Sequence, residues 1–353
     1  MNLTKVLKVD SLNPAAEYLE EAAEILKVGG LVIIPTETVY GIAANMLNKV
    51  AVDKLYEIKK RPKDNPFSLH IDEKDKIEDF AIKIPVVAYK LIDRFWPGPL
   101  TIILKSKDLS TVGLRLPDHE IALRVISLSG VPVVCPSANL SGKPAPVNFQ
   151  EAIKDLNGLV DLAIDSGNTR LGIESTVVDL TIEPLKILRE GAIKKEEILE
   201  VAQRKIVLFV CTGNSCRSVM AKGLLEKKLQ EKGRADVEVL SAGITMLGGL
   251  GATDETKEIL RREGVDVLSH RSQKITKETV QKSDIILVME RLQEERVLQL
   301  APEAKNRLFL LKEFAKIKDN DLDITDPIGR TLEFYEKTFG TIKEAIERVV
   351  EII

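Results

Sequence analysis

The chain reads KIVLFVCTGNSCRS from Lys205 to Ser218, and this stretch decides the fold of its second half. The apolar run at residues 206–210 predicts a buried strand of a parallel sheet. A short polar turn follows, and apolar residues return at helical spacing from Ser218 onward. Cys211 therefore lies where a strand gives way to a helix, and the backbone N–H groups of such a loop form an anion site.

The spacing of a thiol and a guanidinium across this turn indicates phosphate chemistry. Helix N-termini and adjacent cations lower the pKa of a cysteine thiol, which activates it as a nucleophile. Arg217 follows Cys211 by six residues and can present its planar fork to two oxygens of one phosphate. An inert core cysteine is the alternative for a lone Cys after a strand. The spacing and the strand–loop–helix context together favour the nucleophile.

Composition sets the broad class of the protein. The chain has 353 residues, which at roughly 100–200 residues per domain predicts two domains. Charged residues make up 30% and hydrophobic residues 44%, as in soluble globular proteins. The first residues lack the apolar run of a signal peptide, and no later run approaches the ~18 residues of a membrane span. With three cysteines a disulfide framework is not expected, so the sequence indicates a cytoplasmic protein with no membrane partner.

The domain boundary is predicted at Arg204. A charged, helix-like stretch over residues 194–203 ends there, and the strand that begins at Lys205 starts a new hydrophobic core. We therefore predict two α/β domains, over residues 1–204 and 205–353. The net charge is −3, and neither half carries the positive excess that is typical of proteins that bind duplex nucleic acid.

In the first domain, short polar segments repeatedly follow apolar runs. They supply arginines, lysines, hydroxyls and an amide at the predicted ends of strands and helices. Side chains of this kind, delivered by separate elements, are what a site needs to bind phosphates and a small zwitterion together. The segments are residues 35–41, 59–70, 97–101, 111–118, 136–142, 174–179 and 189–192.

Five of these segments resemble, in chain order, the motifs of the YrdC-like threonylcarbamoyl-AMP synthase family. They are PTETVYG at 35–41, KKRP at 59–62, PGPLT at 97–101, PSANLSG at 136–142 and ESTVVD at 174–179. The resemblance implies a twisted mixed α/β sheet of the YrdC/RibB type. It also implies synthesis of threonylcarbamoyl-AMP and pyrophosphate from L-threonine, bicarbonate and ATP with Mg²⁺. Partner proteins would use this intermediate to modify an adenosine of tRNA.

The same resemblance implies which residues hold each substrate. Threonine contacts are implied for Thr38, His70, Arg115, the main chain at Cys135, and Ser175. ATP contacts are implied for Lys59, Arg61, Asn65, Thr111, Ser137, Asn139, the segment around Ala145, and Arg189. No metal ligand from the protein is implied, and a core histidine is the alternative for His70. The sequence departs from the family in having Glu190 where proline is common, and in lacking the C-terminal domain of longer members.

In the second half, predicted strands and helices alternate, which is typical of a doubly wound parallel sheet. The predicted strands are residues 206–210, 237–240, 285–288 and 308–310, and the predicted helices are 218–232, 254–263 and 332–353. Ligands of such sheets bind beyond the carboxyl ends of the strands, where Cys211 lies. A leaving group needs a proton there, and Asp326, in an acidic loop before the last helix, is the candidate donor.

Four segments of this half resemble the low-molecular-weight protein-tyrosine phosphatase family, namely residues 211–218, 241–243, 283–284 and 326–327. The resemblance implies Cys211 as the nucleophile that forms a cysteinyl-phosphate, Arg217 as the phosphate clamp and Asp326 as general acid and then base, without a cofactor. The residues implied to shape the phosphate loop are Thr212, Gly213, Asn214, Ser215, Cys216, Ser218, Ser241 and His270. For Cys216, a reversible disulfide with Cys211 and a plain core sulfur both stay open.

The motifs leave the phosphorylated substrate open. A phosphotyrosine pocket is normally walled by aromatic rings, yet residues 210–308 contain no Phe, Trp or Tyr, and Ile328 follows the Asp326-Pro327 pair. Ser215 supplies a hydroxyl where tyrosine-directed enzymes tend to carry an aliphatic side chain. We therefore hypothesise a phosphoarginine protein substrate, as in the protein-arginine-phosphatase branch, with phosphotyrosine as the alternative. Arsenate reduction would need a further cysteine downstream, and none follows Cys216.

The main prediction is thus a bifunctional enzyme, and one alternative of another class applies to each half. The first half could be an RNA-binding module, and the second a catalytically silent or regulatory anion-binding module. Pyrophosphate release from ATP that depends on threonine tests the first alternative. Phosphatase activity of a Cys211→Ser variant tests the second, because an alcohol at this position should be nearly inert.

Overall fold

The chain divides into two units close to the predicted boundary. The computed structural model describes residues 3–108, 110–245 and 248–353. Met1–Ala202 form the first unit and Gln203–Ile353 the second, so the observed division lies two residues before the predicted one. Each unit has its own buried apolar clusters.

Within the described residues, a ten-stranded sheet organises the first unit. Its strands are Lys5–Lys8 (β1), Val32–Ile34 (β2), Gly41–Asn45 (β3), Leu69–His70 (β4), Leu100–Lys105 (β5), Thr111–Arg115 (β6), Val133–Val134 (β7), Leu162–Asp165 (β8), Thr176–Asp179 (β9) and Lys186–Arg189 (β10). They lie in the order β1-β8-β2-β3-β7-β4-β6-β5-β9-β10. Strand β4 runs parallel to β6 and antiparallel to β7, which confirms the predicted mixed sheet. The β4–β6 register places His70 beside Arg115.

Amphipathic helices pack against this sheet. Ala16–Lys27 buries Leu19, Ala22, Ala23 and Leu26, whose spacing puts them on one face of the helix. The helix ends before Gly29, whose φ of +93° is a left-handed conformation that glycine adopts readily. The other helices of the unit are Lys49–Lys59, Ile77–Phe80, Val86–Phe95, Glu120–Ser129, Phe149–Lys154 and Lys195–Gln203, with a 3-10 helix at Lys74–Lys76.

The second unit confirms the predicted four-stranded, doubly wound parallel sheet. Its strands are Lys205–Cys211 (β11), Val237–Gly243 (β12), Ile285–Val288 (β13) and Leu308–Leu310 (β14). They lie in the order β12-β11-β13-β14, and every neighbouring pair is parallel. Because β11 is a central strand, its register brings Cys211 beside Gly243 at the carboxyl edge of the sheet.

Alternate residues of β11 enter two different apolar clusters. Val207 and Phe209 belong to one cluster, and Leu208 and Val210 to the other. Successive side chains of a strand point to opposite faces, so helices cover both faces of this sheet. The helices are Arg217–Glu231, Asp254–Arg262, Lys277–Lys282, Arg291–Leu300, Leu311–Phe314 and Leu332–Ile352, with a 3-10 helix at Pro302–Arg307.

Three of these α-helices, Lys277–Lys282, Arg291–Leu300 and Leu311–Phe314, lie outside the predicted outline. The first two begin with a side-chain cap, from Thr276 in the first and from a capping box of Glu290 and Gln293 in the second. In the described part of the chain, no helix is both long enough and apolar enough to cross a bilayer.

Candidate active sites

The thiol of Cys211 lies at the end of β11, inside the loop that precedes Arg217–Glu231. Its side chain is almost completely buried, with 2% exposed. The backbone N–H of Asn214 donates to Sγ at 3.2 Å, and the hydroxyl of Ser218 lies 3.0 Å from Sγ. Both groups can donate to sulfur, and hydrogen bonds to an ionised acceptor are the stronger kind. The loop therefore places two hydrogen-bond donors within reach of the sulfur.

Asn214 holds the loop in this shape. It adopts a left-handed conformation with φ of +53°, which asparagine tolerates better than most residues. Its Nδ2 donates to Ser218 Oγ at 2.9 Å and to Ser241 Oγ at 3.0 Å, and its Oδ1 accepts from the N–H of Gln273 at 2.8 Å. The ring Nε2 of His270 lies 2.8 Å from the Asn214 carbonyl oxygen, so this nitrogen carries the proton and donates. Burial lowers the pKa of His270, which favours its neutral form.

Arg217 is completely buried, with 0% exposed, and faces two carboxylates. Its Nη2 donates to Asp326 Oδ2 at 2.5 Å and to Thr212 Oγ1 at 3.1 Å. Its Nη1 donates to the Ile324 carbonyl at 2.7 Å and lies 2.7 Å from Glu290 Oε2. The structure thus brings the predicted clamp and the predicted acid together, and adds Glu290.

The backbone of the phosphate loop passes very close to β12. A Cβ on Gly243 would lie 2.9 Å from the Thr212 carbonyl oxygen and 3.0 Å from both the Asn214 nitrogen and the Gly213 carbonyl carbon. These distances are too short for a real side chain. Glycine at the end of β12 is therefore required by this loop, independent of any ligand.

Ser215 and Cys216 occupy different environments although they are neighbours. Ser215 is half-buried, and its hydroxyl lies 3.6 Å from the Cys216 sulfur. Cys216 is buried, with its Sγ 3.5 Å from Thr253 Oγ1 and 3.6 Å from Tyr335 Oη. Burial raises the pKa of Tyr335, so its hydroxyl keeps its proton. Cys216 therefore packs beneath the loop, while Ser215 lies within it.

The first unit contains a cavity of about 340 Å³. Nine of the residues predicted to bind substrates line it, namely Arg61, Asn65, His70, Thr111, Arg115, Cys135, Ser137, Ser175 and Arg189. Thr38, Lys59, Asn139 and Ala145 do not. Lys59 lies directly behind the wall, where its Nζ donates to the Ser137 carbonyl at 2.6 Å and to Asn139 Oδ1 at 2.8 Å.

His70 and Arg115 line one part of the cavity. Together with Glu37 and Thr38, which lie behind them, they form a buried group that we name the Arg115 cluster. Arg115 Nη2 donates to Glu37 Oε1 at 2.8 Å and to Thr38 Oγ1 at 2.7 Å. Burial and the nearby Arg115 charge lower the pKa of His70 to about 3, so its ring is neutral at pH 7. Thr38 is thus placed as a partner of Arg115, behind the cavity surface.

Another part of the wall is cationic. Arg61 donates to Asn65 Oδ1 at 2.6 Å, and its guanidinium lies 5.1 Å from the centre of the Phe67 ring. Arg189 donates to Glu174 Oε1 at 2.6 Å and to Ser175 Oγ at 3.1 Å. Burial and the Arg61 charge lower the pKa of Lys59 to about 8. Three cationic side chains therefore lie at or just behind this part of the wall.

Cys135 contributes a neutral side chain to the cavity, because burial raises the pKa of its thiol to about 12. Its sulfur faces Gly41, where an added Cβ would lie 2.4 Å away. The segment around Ala145 is half-buried, and the next residue, Pro146, accepts a hydrogen bond from the Tyr40 N–H at 3.0 Å. This segment therefore follows the cavity margin without lining it.

Comparison with known proteins assigns the first unit. The family model described as Telomere recombination matches residues 24–191. A threonylcarbamoyl-AMP synthase of Pyrococcus abyssi is 43% identical over 212 residues, which cover 58% of this chain and 62% of the relative. A Methanocaldococcus jannaschii protein provisionally given the same name is 38% identical over 205 residues, which cover 55% of this chain and 96% of the relative. The chain belongs to the threonylcarbamoyl-AMP synthase family.

The match to the Pyrococcus abyssi synthase covers only part of that protein. The match covers 62% of the Pyrococcus abyssi protein, so the chain spans about six tenths of it. A solved structure of Pyrococcus abyssi Sua5 complexed with L-threonine is 30% identical and covers 87% of this chain and 99% of that chain, with a TM-score of 0.55. The mixed sheet of the synthase unit agrees with this likeness.

The second unit of this synthase-family chain matches a different family model. The model described as Low molecular weight phosphotyrosine protein phosphatase matches residues 206–353. The match begins inside β11 and includes Cys211, Arg217 and Asp326, the residues that the phosphate loop brings together. The two family matches confirm the two resemblances that the sequence motifs indicated.

The sequence patterns do not predict several residues of the two sites. Glu37 lies inside the PTETVYG motif of the synthase unit, but nothing local indicates that it pairs with Arg115. In the phosphatase unit, Glu290 contacts Arg217, and Gln293 donates to Thr212 Oγ1 at 3.2 Å. A usable signal did exist for Glu290, because it closely follows the strand Ile285–Val288 at the edge where ligands of parallel sheets bind.

Proposed function

We propose that the first unit makes threonylcarbamoyl-AMP and pyrophosphate from L-threonine, bicarbonate and ATP. The observation that carries this proposal is one cavity whose wall combines the Arg115 cluster with the cationic groups of Arg61 and Arg189. A planar guanidinium suits the carboxylate of an amino acid, and several cations suit a triphosphate. The complex of Pyrococcus abyssi Sua5 with L-threonine supports the same substrate.

In this proposal the predicted residues divide between the two substrates. Threonine is held by His70, Arg115, Ser175 and the main chain at Cys135, with Thr38 supporting Arg115. ATP is held by Arg61, Asn65, Thr111, Ser137 and Arg189, with Lys59, Asn139 and the segment around Ala145 supporting them. The cations neutralise the charge that develops as pyrophosphate leaves.

The reaction depends on positioning more than on acid–base chemistry. Neutral His70 and the neutral Cys135 thiol are poor proton acceptors at pH 7. A carbamate oxygen of N-carboxythreonine forms the new bond to the α-phosphorus, and the bond from that phosphorus to the pyrophosphate oxygen breaks. Holding the two groups in contact converts a bimolecular step into an effectively unimolecular one.

Mg²⁺ accompanies ATP in this proposal. Over the ranges that the structure describes, no three His, Cys, Asp or Glu side chains converge to form a metal site. The ion would therefore be held by phosphate oxygens and water, as Mg²⁺ commonly is in nucleotide sites, with Glu174 the nearby carboxylate of the cavity wall. When bound, it would offset phosphate charge.

The product would pass to partner proteins that transfer the threonylcarbamoyl group to an adenosine of tRNA. A cytoplasmic location belongs to the same proposal, because ATP and tRNA are available there. The test is release of pyrophosphate from ATP with and without threonine, using Arg115→Ala as the control variant. Release that depends on threonine and is lost in the variant is expected. An absence of such release, with RNA binding present, would instead favour the RNA-binding alternative.

For the second unit we propose dephosphorylation of proteins through a cysteinyl-phosphate. The Cys211 sulfur attacks phosphorus, the bond from phosphorus to the leaving atom breaks, and Asp326 gives that atom its proton. Water then attacks the phosphorus of the cysteinyl-phosphate and gives a proton to Asp326. This attack breaks the S–P bond and releases phosphate. Arg217 binds two phosphate oxygens in both steps.

Phosphoarginine is the preferred substrate in this proposal. Ser215 is half-buried within the loop and can accept hydrogen bonds from the nitrogens of a phosphoguanidinium. Beside the acid, Ile328 is exposed and aliphatic, so it does not supply an aromatic wall. The preference is tested by measuring turnover of matched phosphoarginine and phosphotyrosine peptides. The same two rates are measured for the Ser215→Val variant. Faster turnover of phosphotyrosine by the unchanged protein would contradict it.

A further inference from the structure

The Arg115 cluster carries two opposite charges that are both removed from water. Glu37 is 0% exposed and Arg115 is 5% exposed, and their side chains meet at 2.8 Å. Opposite charges this close largely cancel each other. In a poorly solvated site, any charge that is not cancelled acts on its neighbours more strongly than it would in water. His70 is neutral at pH 7 and adds no charge. The cluster therefore presents a guanidinium to the cavity while having no net charge.

The two partners of this pair are not equivalent toward a ligand. Arg115 lines the cavity, whereas Glu37 does not and lies behind it. Glu37 Oε2 and Arg115 Nε are buried and have no hydrogen-bond partner among the described residues. The contacts of Arg115 to Glu37 and Thr38 both use Nη2, so the rest of the guanidinium keeps donor capacity for a ligand carboxylate, even though its charge is already compensated from behind.

A ligand carboxylate on Arg115 therefore creates an imbalance. Two carboxylates, one from Glu37 and one from the ligand, would share one guanidinium in a buried site. An uncompensated buried charge is strongly unfavourable. A ligand that brings its own ammonium group restores the balance, and a simple anion does not.

We propose that Glu37 makes this site select zwitterions, by cancelling the charge of the arginine that receives the ligand carboxylate. The inference rests on the proposed threonine site. Glu37 acts through Arg115 and does not touch the amino acid, so it determines specificity by charge. Threonine is accepted as a zwitterion, and the corresponding hydroxy acid without an amine is rejected as an anion.

Calorimetric binding of two ligands to the full chain tests this proposal. L-threonine is compared with 3-hydroxybutyrate, which keeps the carboxylate and the hydroxyl but lacks the amine. In the unchanged protein, threonine should bind at least about tenfold more tightly than 3-hydroxybutyrate. In Glu37→Gln, which keeps an acceptor for Arg115 but removes the charge, the ratio should fall by about tenfold, mainly through tighter binding of 3-hydroxybutyrate.

Two variants separate charge from orientation. Thr38→Val removes the other acceptor of Arg115 Nη2 without changing any charge, so it should weaken both ligands and leave their ratio unchanged. Asp118→Asn removes an exposed carboxylate of the same unit, which is paired with Arg170, and should not change the ratio because water screens it. Circular dichroism establishes that each variant is folded.

The outcomes distinguish this inference from the proposed function. If the unchanged protein does not bind threonine, the proposed threonine site is wrong. If it binds threonine and 3-hydroxybutyrate equally, the selection by charge is wrong, and this result needs no variant. The inference would also be overturned if Glu37→Gln left the ratio of the two affinities unchanged. It would be overturned as well if Thr38→Val lowered that ratio as much as Glu37→Gln does.

Discussion

Replacing Asn214 separates two contributions to the stability of the phosphate loop. Asn214→Ala removes hydrogen bonds to Ser218, to Ser241 and from the N–H of Gln273. At a net ~1 kcal/mol each, these amount to roughly 3 kcal/mol. Alanine at the φ of +53° adds about 1 kcal/mol of backbone strain. Asn214→Gly loses the same hydrogen bonds without that strain, so we expect it to be less destabilised than Asn214→Ala.

The full chain allows the two units to be followed separately during unfolding in urea. Trp96 is the single tryptophan of the chain and is 3% exposed within the first unit, so its fluorescence reports that unit. Far-UV circular dichroism reports the helices of both units. The unfolding transition of the second unit is the part of the circular dichroism change that Trp96 fluorescence does not follow. In Asn214→Ala this transition should occur at lower urea, which corresponds to a loss of about 4 kcal/mol of unfolding free energy.

Two results would refute this reasoning. A loss below about 1 kcal/mol in Asn214→Ala would mean that the three hydrogen bonds do not stabilise the loop as assumed. Equal or greater destabilisation in Asn214→Gly would mean that the left-handed backbone is not strained by alanine. A shift of the Trp96 transition would show that the substitution acts outside the second unit.

Three further predictions concern activity and binding. Cys211→Ser should lower the rate of phosphopeptide hydrolysis by about 10³-fold or more, and activity near that of the unchanged protein would contradict the role of the thiolate. Glu290→Gln removes a negative charge 2.7 Å from Arg217 and should strengthen inhibition by inorganic phosphate about threefold or more, whereas an unchanged inhibition constant would exclude an electrostatic effect. Affinity for ATP should fall as the pH rises through about 8, because Lys59 then loses its proton, and Lys59→Arg should abolish this decline in calorimetric titrations.

The phosphate loop could be predicted from the sequence because its parts are close together in the chain. The predicted nucleophile Cys211, the predicted clamp Arg217 and the hydroxyl of Ser218 all lie within one strand–loop–helix segment, whose apolar run and helical spacing are local signals. The predicted bounds of the strands Ile285–Val288 and Leu308–Leu310 agree with the observed ones for the same reason. Continuous apolar runs are typical of strands buried on both faces.

The charged partners of both arginines could not be predicted in this way. Glu37 and Arg115 are 78 residues apart, and only the order of the sheet strands brings them together. Glu290 reaches Arg217 because β13 lies beside β11. A sequence pattern carries no direct information about which distant strand ends become neighbours. Apolar periodicity does not predict helices such as Arg291–Leu300, because few of their residues are apolar. Their capping residues are a clearer signal than the apolar pattern.

The N–H of Asn214 points directly at the sulfur of Cys211. An amide proton that donates to sulfur experiences any change of charge on that sulfur at once. In an NMR spectrum, the chemical shift of this one amide therefore serves as an internal indicator of the charge on the Cys211 sulfur. A titration followed at Asn214 would read the charge of the thiol in the intact, isotope-labelled protein, without a probe attached to the sulfur and without a substrate.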